Sequence, residues 1–290
     1  MANTITMAKK FVPLLDEVYK VASLTAKLDG AADLAQQGAN AGEMIVPMLE
    51  MQGLGDYDRN SGYVSGDVTL TNETIKCNFD RGRMFMVDNI DNDETAGIAF
   101  GRLASEFIRT KVVPELDAFR FAQYYAKDGI GKKEETLADG TEVLAALRTA
   151  TTQMDEAEVP MEDRHLFITP TLYGMIQDLD TNKSREILNR FDTVTQVPQT
   201  RFYSAIEQKT GKDGQEAGGY TKAASAKELN FMVIHKPALI QFEKHVSPKI
   251  ITPQNNPDAD AYKFGYRNVG IADVYKNKTA GVYASSRAGE

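Results

Sequence analysis

Residues 78–93 read NFDRGRMFMVDNIDND. The stretch begins as a strand: Ile75, Cys77 and Phe79 alternate with Lys76, Asn78 and Asp80 on the opposite face. Arg81, Gly82 and Arg83 occupy its middle, and it ends in acidic residues just before a helical pattern starts. No catalytic motif uses that order, so the question is what these charges meet. Upstream, Met44, Val46 and Met48 alternate, then GLGDYDRNSGYVSGD (53–67) is polar and rich in turn residues, and Val68 and Leu70 alternate again. Period-two patterns around a turn-rich centre predict an antiparallel hairpin. Pro47 cannot donate to a strand ladder and predicts an edge position. Nothing nearby supplies a core for this hairpin, so it is expected to project.

Downstream, Asp91 and Glu94 have capping-box spacing. Phe100, Leu103, Phe107, Ile108, Val112, Leu116 and Phe119 form one apolar stripe over 91–127. Pro114 interrupts it and predicts a kink, or a break with the proline opening the next helix. Asp139 and Glu142 repeat the capping-box spacing before Val143, Leu147, Ala150 and Met154, a second helix over 139–158. RHLFI (164–168) reads as a short buried strand. Thr169 and Pro170 are N-cap and first residue of a third helix, whose apolar face is Leu172, Met175, Ile176 and Leu179. A glycine-rich loop follows at 209–225, then strand-like runs at 230–253, 262–275 and 281–286. The class is α+β. Residues 1–40 are Ala-rich and polar, with Leu14, Leu15, Val18, Val21 and Leu24 at helical spacing. They read either as a frayed terminus or as an arm lying on a neighbour.

The chain has 290 residues, 42% hydrophobic and 9% aromatic, enough for a substantial core. Its net charge of −8, without a Lys/Arg-rich run, disfavours a sequence-reading nucleic-acid binder and an anionic membrane surface. The single Cys77 excludes an intramolecular disulfide and a multi-cysteine zinc site. No run approaches the eighteen or so apolar residues of a membrane span, and no secretory segment is visible; a soluble chain is expected. His165, His235 and His245 have no metal-ligand spacing, TGKDGQ lacks the phosphate-loop pattern, and neither GxSxG nor GxGxxG occurs. The patch Asp88, Asp91, Asp93 and Glu94 lacks the glycine of a calcium loop and suits a helix N-terminus. No catalytic, cofactor or metal residue is therefore assigned. A hidden carboxylate pair remains open.

Taken together, DYDRNSGYVSGDVTL (56–70), CNFDRGRMFMVDNIDNDET (77–95) and VVPELDAFRFAQ (112–123) resemble major capsid proteins of tailed bacteriophages with the Hong Kong 97-type fold. The resemblance extends over nearly the whole chain through EVPMEDRHLFITPTLYGMI (158–176), NFMVIHKPALIQFEKH (230–245) and YRNVGIADVYKNKTAGVYASS (266–286). It is nearest to siphovirus and prophage capsids of low-GC Gram-positive bacteria.

The resemblance implies an N-arm at 1–38, an E-loop hairpin at 39–90 and a peripheral domain with spine helix at 91–134. An α/β axial domain would follow at 135–238, a return through the peripheral domain at 239–275 and a C-terminal strand at 276–290. Loop 209–225 would lie near the capsomer symmetry axes. Expected partners are copies of the chain itself in hexamers and pentamers, a portal, and packaged DNA held without sequence preference. No fused scaffolding segment precedes the arm, which implies a separate scaffolding protein or a mature form. The expected location is the virion, with the host cytoplasm during assembly. Tyr57, Arg59, Asp80, Arg81 and Arg83 are the candidate subunit contacts. An encapsulin-type compartment shell is the alternative within the fold, and an enzyme with an unrecognised carboxylate site the alternative outside it.

Overall fold

The structure is a computed structural model that describes residues 23–30, 36–37, 43–60, 62–89, 98–179 and 182–289. The helix expected around Leu14–Val21 and the capping box at Asp91–Glu94 lie outside these residues.

The centre is a five-stranded sheet of β5 (Gly131–Glu134), β13 (Val282–Ser286), β10 (Leu229–His235), β6 (Arg164–Ile168) and β7 (Thr193–Gln196), in that spatial order. Every residue of β6, β10 and β13 is buried. Strands covered on both faces read as continuous apolar runs, which is why RHLFI and NFMVIH show no alternation. Phe231 and Val233 face helices α3 (Gly140–Glu156), α4 (Pro170–Leu179) and α5 (Asn182–Leu188); Met232 and Ile234 face the opposite way, into a second core. Asp139 caps α3 by accepting from the Glu142 amide at 2.8 Å, and the Glu142 carboxylate accepts from the Ala138 amide at 2.7 Å. Residues 131–134, grouped by sequence with the peripheral part, pair in parallel with β13 and so join this sheet.

The second core is organised by one helical run. Helix α1 (Ile98–Phe107) passes through a π turn (Ile108–Val112) into α2 (Val113–Ala126), with helical backbone at each junction. Pro114 in the first turn of α2 has no amide to offer Thr110, and the ladder widens just before it. Helix α2 is buried nearly all round, including Asp117 and Arg120. It packs beside a three-stranded antiparallel sheet of β11 (Leu239–Ile251), β12 (Ala261–Val274) and β4 (Phe79–Asp88), in that order. Phe79 meets Phe119 with ring centroids 5.0 Å apart, and Phe121 meets Phe167 at 5.2 Å, which joins the two sheets through α2.

Residues 23–30 are built into this core, so this part of 1–40 is not frayed. The fully buried Asp117 carboxylate accepts from Ser23 Oγ (2.9 Å), the Leu24 amide (3.1 Å), the Thr25 amide (3.3 Å) and Thr25 Oγ1 (2.7 Å), and pairs with Arg201 at 3.3 Å. Arg120 donates to Thr25 Oγ1 (2.8 Å) and reaches Asp29 (3.2 Å) and Glu243 (3.5 Å). Gln241 donates to the Thr25 carbonyl (2.8 Å) and to Asp29 (2.7 Å), and accepts from Tyr124 Oη. Burial drives the Tyr124 phenol far above its ordinary pKa, so it stays a donor. Leu28 fills the adjoining apolar space.

Asp117→Asn should remove the charge and set an amide NH2 against donors. Breaking such a pair costs about 3–5 kcal/mol. Denaturant unfolding of subunits should register a loss in that range, with faster amide exchange at residues 24–28. A loss below about 1 kcal/mol would mean that the network is not what holds this segment.

Candidate subunit-interface surface

Strands β2 (Glu43–Met51) and β3 (Val68–Lys76) pair antiparallel from Glu43 opposite Lys76 to Met51 opposite Val68. A short strand β1 (Gln36–Gln37) pairs with β2 at Ile45 and Met44, and among the described residues no strand pairs with β2 on that side at Pro47. Beyond the ladder the chain closes a second small turn: Asp58 and Gly62 bridge, and the Asp58 carboxylate accepts from the Asn60 amide at 2.7 Å. Gly62 has φ +80°, the left-handed conformation that glycine adopts without a steric penalty. The Tyr57 and Tyr63 rings, 4.9 Å apart, brace this tip. Leu54 is fully exposed and Tyr63 is 89% exposed; Met51, Tyr57, Val64 and Val68 are exposed as well. Arg59 is exposed at the turn. Tyr57 and Arg59 thus sit on a projecting apolar tip with charged residues among the aromatics.

Asp80, Arg81 and Arg83 behave differently: within the subunit each already has partners of its own. Asp80 forms a bidentate pair with Arg267 on the adjacent strand β12, at 2.8 and 2.6 Å. Arg81 pairs with Glu115 of α2 at 2.8 Å and donates to the Gly219 carbonyl at 3.3 Å. Arg83 donates to the carbonyls of Ala217 (3.1 Å) and Glu216 (2.7 Å). The cause is the neighbouring loop between β8 (Ile206–Gln208) and β9 (Tyr220–Lys222). Its backbone turns left-handed at Gly211, Asp213, Gly214, Gly218 and Gly219, which points carbonyls outward. Arg83 takes up two carbonyls that would otherwise need water, while the Gly219 carbonyl reached by Arg81 also accepts from the Lys209 amide at 2.9 Å. A Cβ at Gly218 would lie 2.8 Å from Arg83 Nη1, so this approach also requires glycine. Gln208 Nε2 reaches Glu115 at 3.3 Å. The loop is therefore anchored on β4 and α2.

The outer face of β4 carries Met84 and Met86, both more than half exposed, with Val246 of β11 exposed on the same sheet. Sequence reasoning passed over these methionines. Their alternation with Phe85 and Val87 was the available signal, since only one set can face the core. Among the described residues, no helix is long and apolar enough to cross a membrane.

No family model matches the chain, and no curated protein does. Solved structures do. The virus-like particle from Pyrococcus furiosus shares the fold over 96% of this chain and 98% of its own, with TM-score 0.60 and 12% identity. The mature capsid of bacteriophage PhiM1 matches over 86% and 83%, with TM-score 0.58 and 11% identity. A structure from Gordonia phage Cozz matches over 92% and 87%, with TM-score 0.60 and 12% identity. The chain has the fold of phage capsid subunits, the Hong Kong 97-type α+β fold.

Arg83→Ala should loosen the loop without unfolding the subunit. Two hydrogen bonds at about 0.5–1.5 kcal/mol each predict roughly tenfold faster amide exchange at residues 209–219. Global stability should stay within about 0.5 kcal/mol, as at an ordinary surface site. Unchanged exchange in the loop would show that the arginine does not hold it.

Proposed function

We propose that the chain is a major capsid protein of a tailed bacteriophage, a structural subunit that assembles with copies of itself into the icosahedral head around phage DNA. One observation carries this reading beyond the fold: a hairpin whose tip exposes Leu54, Tyr57, Tyr63 and Val64, with nothing among the described residues to cover them. Contiguous exposed apolar groups mark a surface built for a partner. In a shell that partner is the next subunit, and the contact repeats at every equivalent position.

The same reading takes residues 1–38 as N-arm, 39–90 as E-loop, 91–134 as the peripheral domain with its spine helix and 135–238 as the axial domain. Residues 239–275 return through the peripheral domain, and 276–290 contribute the closing strand. Hexamers and pentamers are the expected capsomers. A separate scaffolding protein and a portal are the expected assembly partners. The chain works in the virion after assembly in the host cytoplasm, and its role is structural rather than catalytic. Siphovirus and prophage capsids of low-GC Gram-positive bacteria are the proposed relatives; a gene neighbourhood of portal, terminase and scaffold genes would support that placement. The likeness to a virus-like particle supports a second reading, a compartment shell that encloses protein cargo. Particles filled with protein and free of nucleic acid would favour it.

Electron microscopy and light scattering of the protein, made alone and with its phage partners, should reveal closed shells or capsomers. Leu54→Asp should cut shell yield at least about tenfold while leaving subunit melting unchanged, because burying a leucine is worth about 1.5–3 kcal/mol per contact and this one has no contact to lose within the subunit. A strict monomer at high concentration under both conditions would overturn the proposal.

A further inference from the structure

Three ligand-type side chains meet at the N-terminal ends of β6 and β7, two from one strand start and one from the other, outside the surfaces described above. Strands β6 and β7 run parallel, with His165 opposite Thr193. Asp163 and Asp192 therefore precede the first residues of adjacent strands and emerge at the same end of the sheet. One ring nitrogen of His165 and one carboxylate oxygen from each aspartate lie within 4.8 Å of one another. Among the described residues, no hydrogen bond or ion pair engages either carboxylate. Both aspartates are exposed, whereas His165 is only 6% exposed.

The histidine supplies an independent observation. Its Nδ1 lies 2.8 Å from Thr193 Oγ1. Its Nε2 is buried and has no hydrogen-bond partner among the described residues. A ring that donates Nδ1–H to the threonine hydroxyl carries its lone pair on Nε2. This is the arrangement found in metal-ligating histidines, where the second nitrogen fixes tautomer and orientation. Buried polar atoms normally have partners, and a cation held jointly with the two carboxylates would satisfy this one.

We propose that Asp163, His165 and Asp192 form a binding site for one divalent transition-metal cation per chain, of the Zn2+ class. An imidazole with two carboxylates suits Zn2+, Mn2+ or Co2+; Ca2+ and Mg2+ prefer larger all-oxygen shells. Bonds of about 2.0–2.1 Å in tetrahedral geometry place donors about 3.3 Å apart, so the two exposed aspartates close inward by side-chain rotation. Lys236 adds positive charge near His165, which the paired carboxylates offset. The backbone is already set. Asp163 adopts a left-handed conformation with φ 56°, and its carbonyl accepts from the Lys236 amide at 3.0 Å. The Asp192 amide donates to the Arg164 carbonyl at 2.8 Å. A cation here would clamp the edge strand β7 to β6 and keep at least one coordination position open to water or to a donor from another molecule.

Tag-free full-length protein, stripped with EDTA, should bind one equivalent of Zn2+ per chain by calorimetry. Co2+ in place of Zn2+ should give a visible absorption band that His165→Gln abolishes. Asp163→Asn and Asp192→Asn should each weaken Zn2+ binding at least tenfold, while Asp213→Asn, an exposed aspartate elsewhere, leaves it unchanged. Melting in EDTA should be the same for wild type and both site aspartate variants, which separates lost binding from misfolding. No saturable binding, or binding that survives both aspartate substitutions, would overturn the site. Neither result bears on shell assembly, which is measured separately.

Discussion

A carboxylate with no solvent exposure is tolerated only when donors surround it on every side. Asp117 meets that condition with groups from widely separated parts of the chain: the hydroxyls of Ser23 and Thr25, the amides of Leu24 and Thr25, and a guanidinium from Arg201. None of these donors can leave without stranding the charge. Helix α2, residues 23–30 and the turn at Arg201 therefore form one mechanical unit, and Arg120 extends it to β11 through Glu243. Both sheets hang from α2, so their mutual placement depends on this one buried group being satisfied.

The charges of β4 follow the same logic at lower stakes. Arg81 is partly buried and serves both Glu115 and a loop carbonyl; Arg83 is more exposed and serves carbonyls alone. Exposed pairs such as Asp80–Arg267 contribute about 0–1 kcal/mol each. Asp80–Arg267 ties β4 to β12, while Arg81 and Arg83 hold a carbonyl-rich loop against β4. Met84 and Met86 stay open to solvent on the outer face of β4. In this region the charged groups find partners within the subunit while the outer apolar side chains stay exposed.

Local rules were legible in the amino-acid order. The cap at Asp139–Glu142, the Thr169–Pro170 helix start, the short buried strand at 164–168 and the change of helix at Pro114 each depend on neighbours in sequence. The hairpin was legible because period-two alternation on both sides of a turn-rich segment has few other solutions. What stayed hidden depends on chain parts brought together by folding. An arginine that binds backbone carbonyls leaves no motif at its partner, so the bonds from Arg83 to Glu216 and Ala217 within the subunit were not legible. The burial of residues 23–30 was equally silent, since Ser23, Thr25 and Asp29 are polar and only Leu28 belongs to the core. Asp163 and Asp192 come together through the parallel register of two strands whose linking segment contains two helices, and no spacing rule spans it.

Strand β13 lies in the interior of the five-stranded sheet, between β5 and β10. During synthesis those two neighbours leave the ribosome first and wait for it. Until residues 282–286 emerge, β5 has no ladder partner and β10 presents an open edge, which invites pairing with any other nascent chain. The register Tyr283 opposite Gly131 also closes one of the longest loops in the molecule, a slow step because its entropy must be lost before the contact stabilises anything. The order of translation thus acts as a timer: a truncated product cannot complete its sheet, and only chains that have been read through this strand can present a finished subunit.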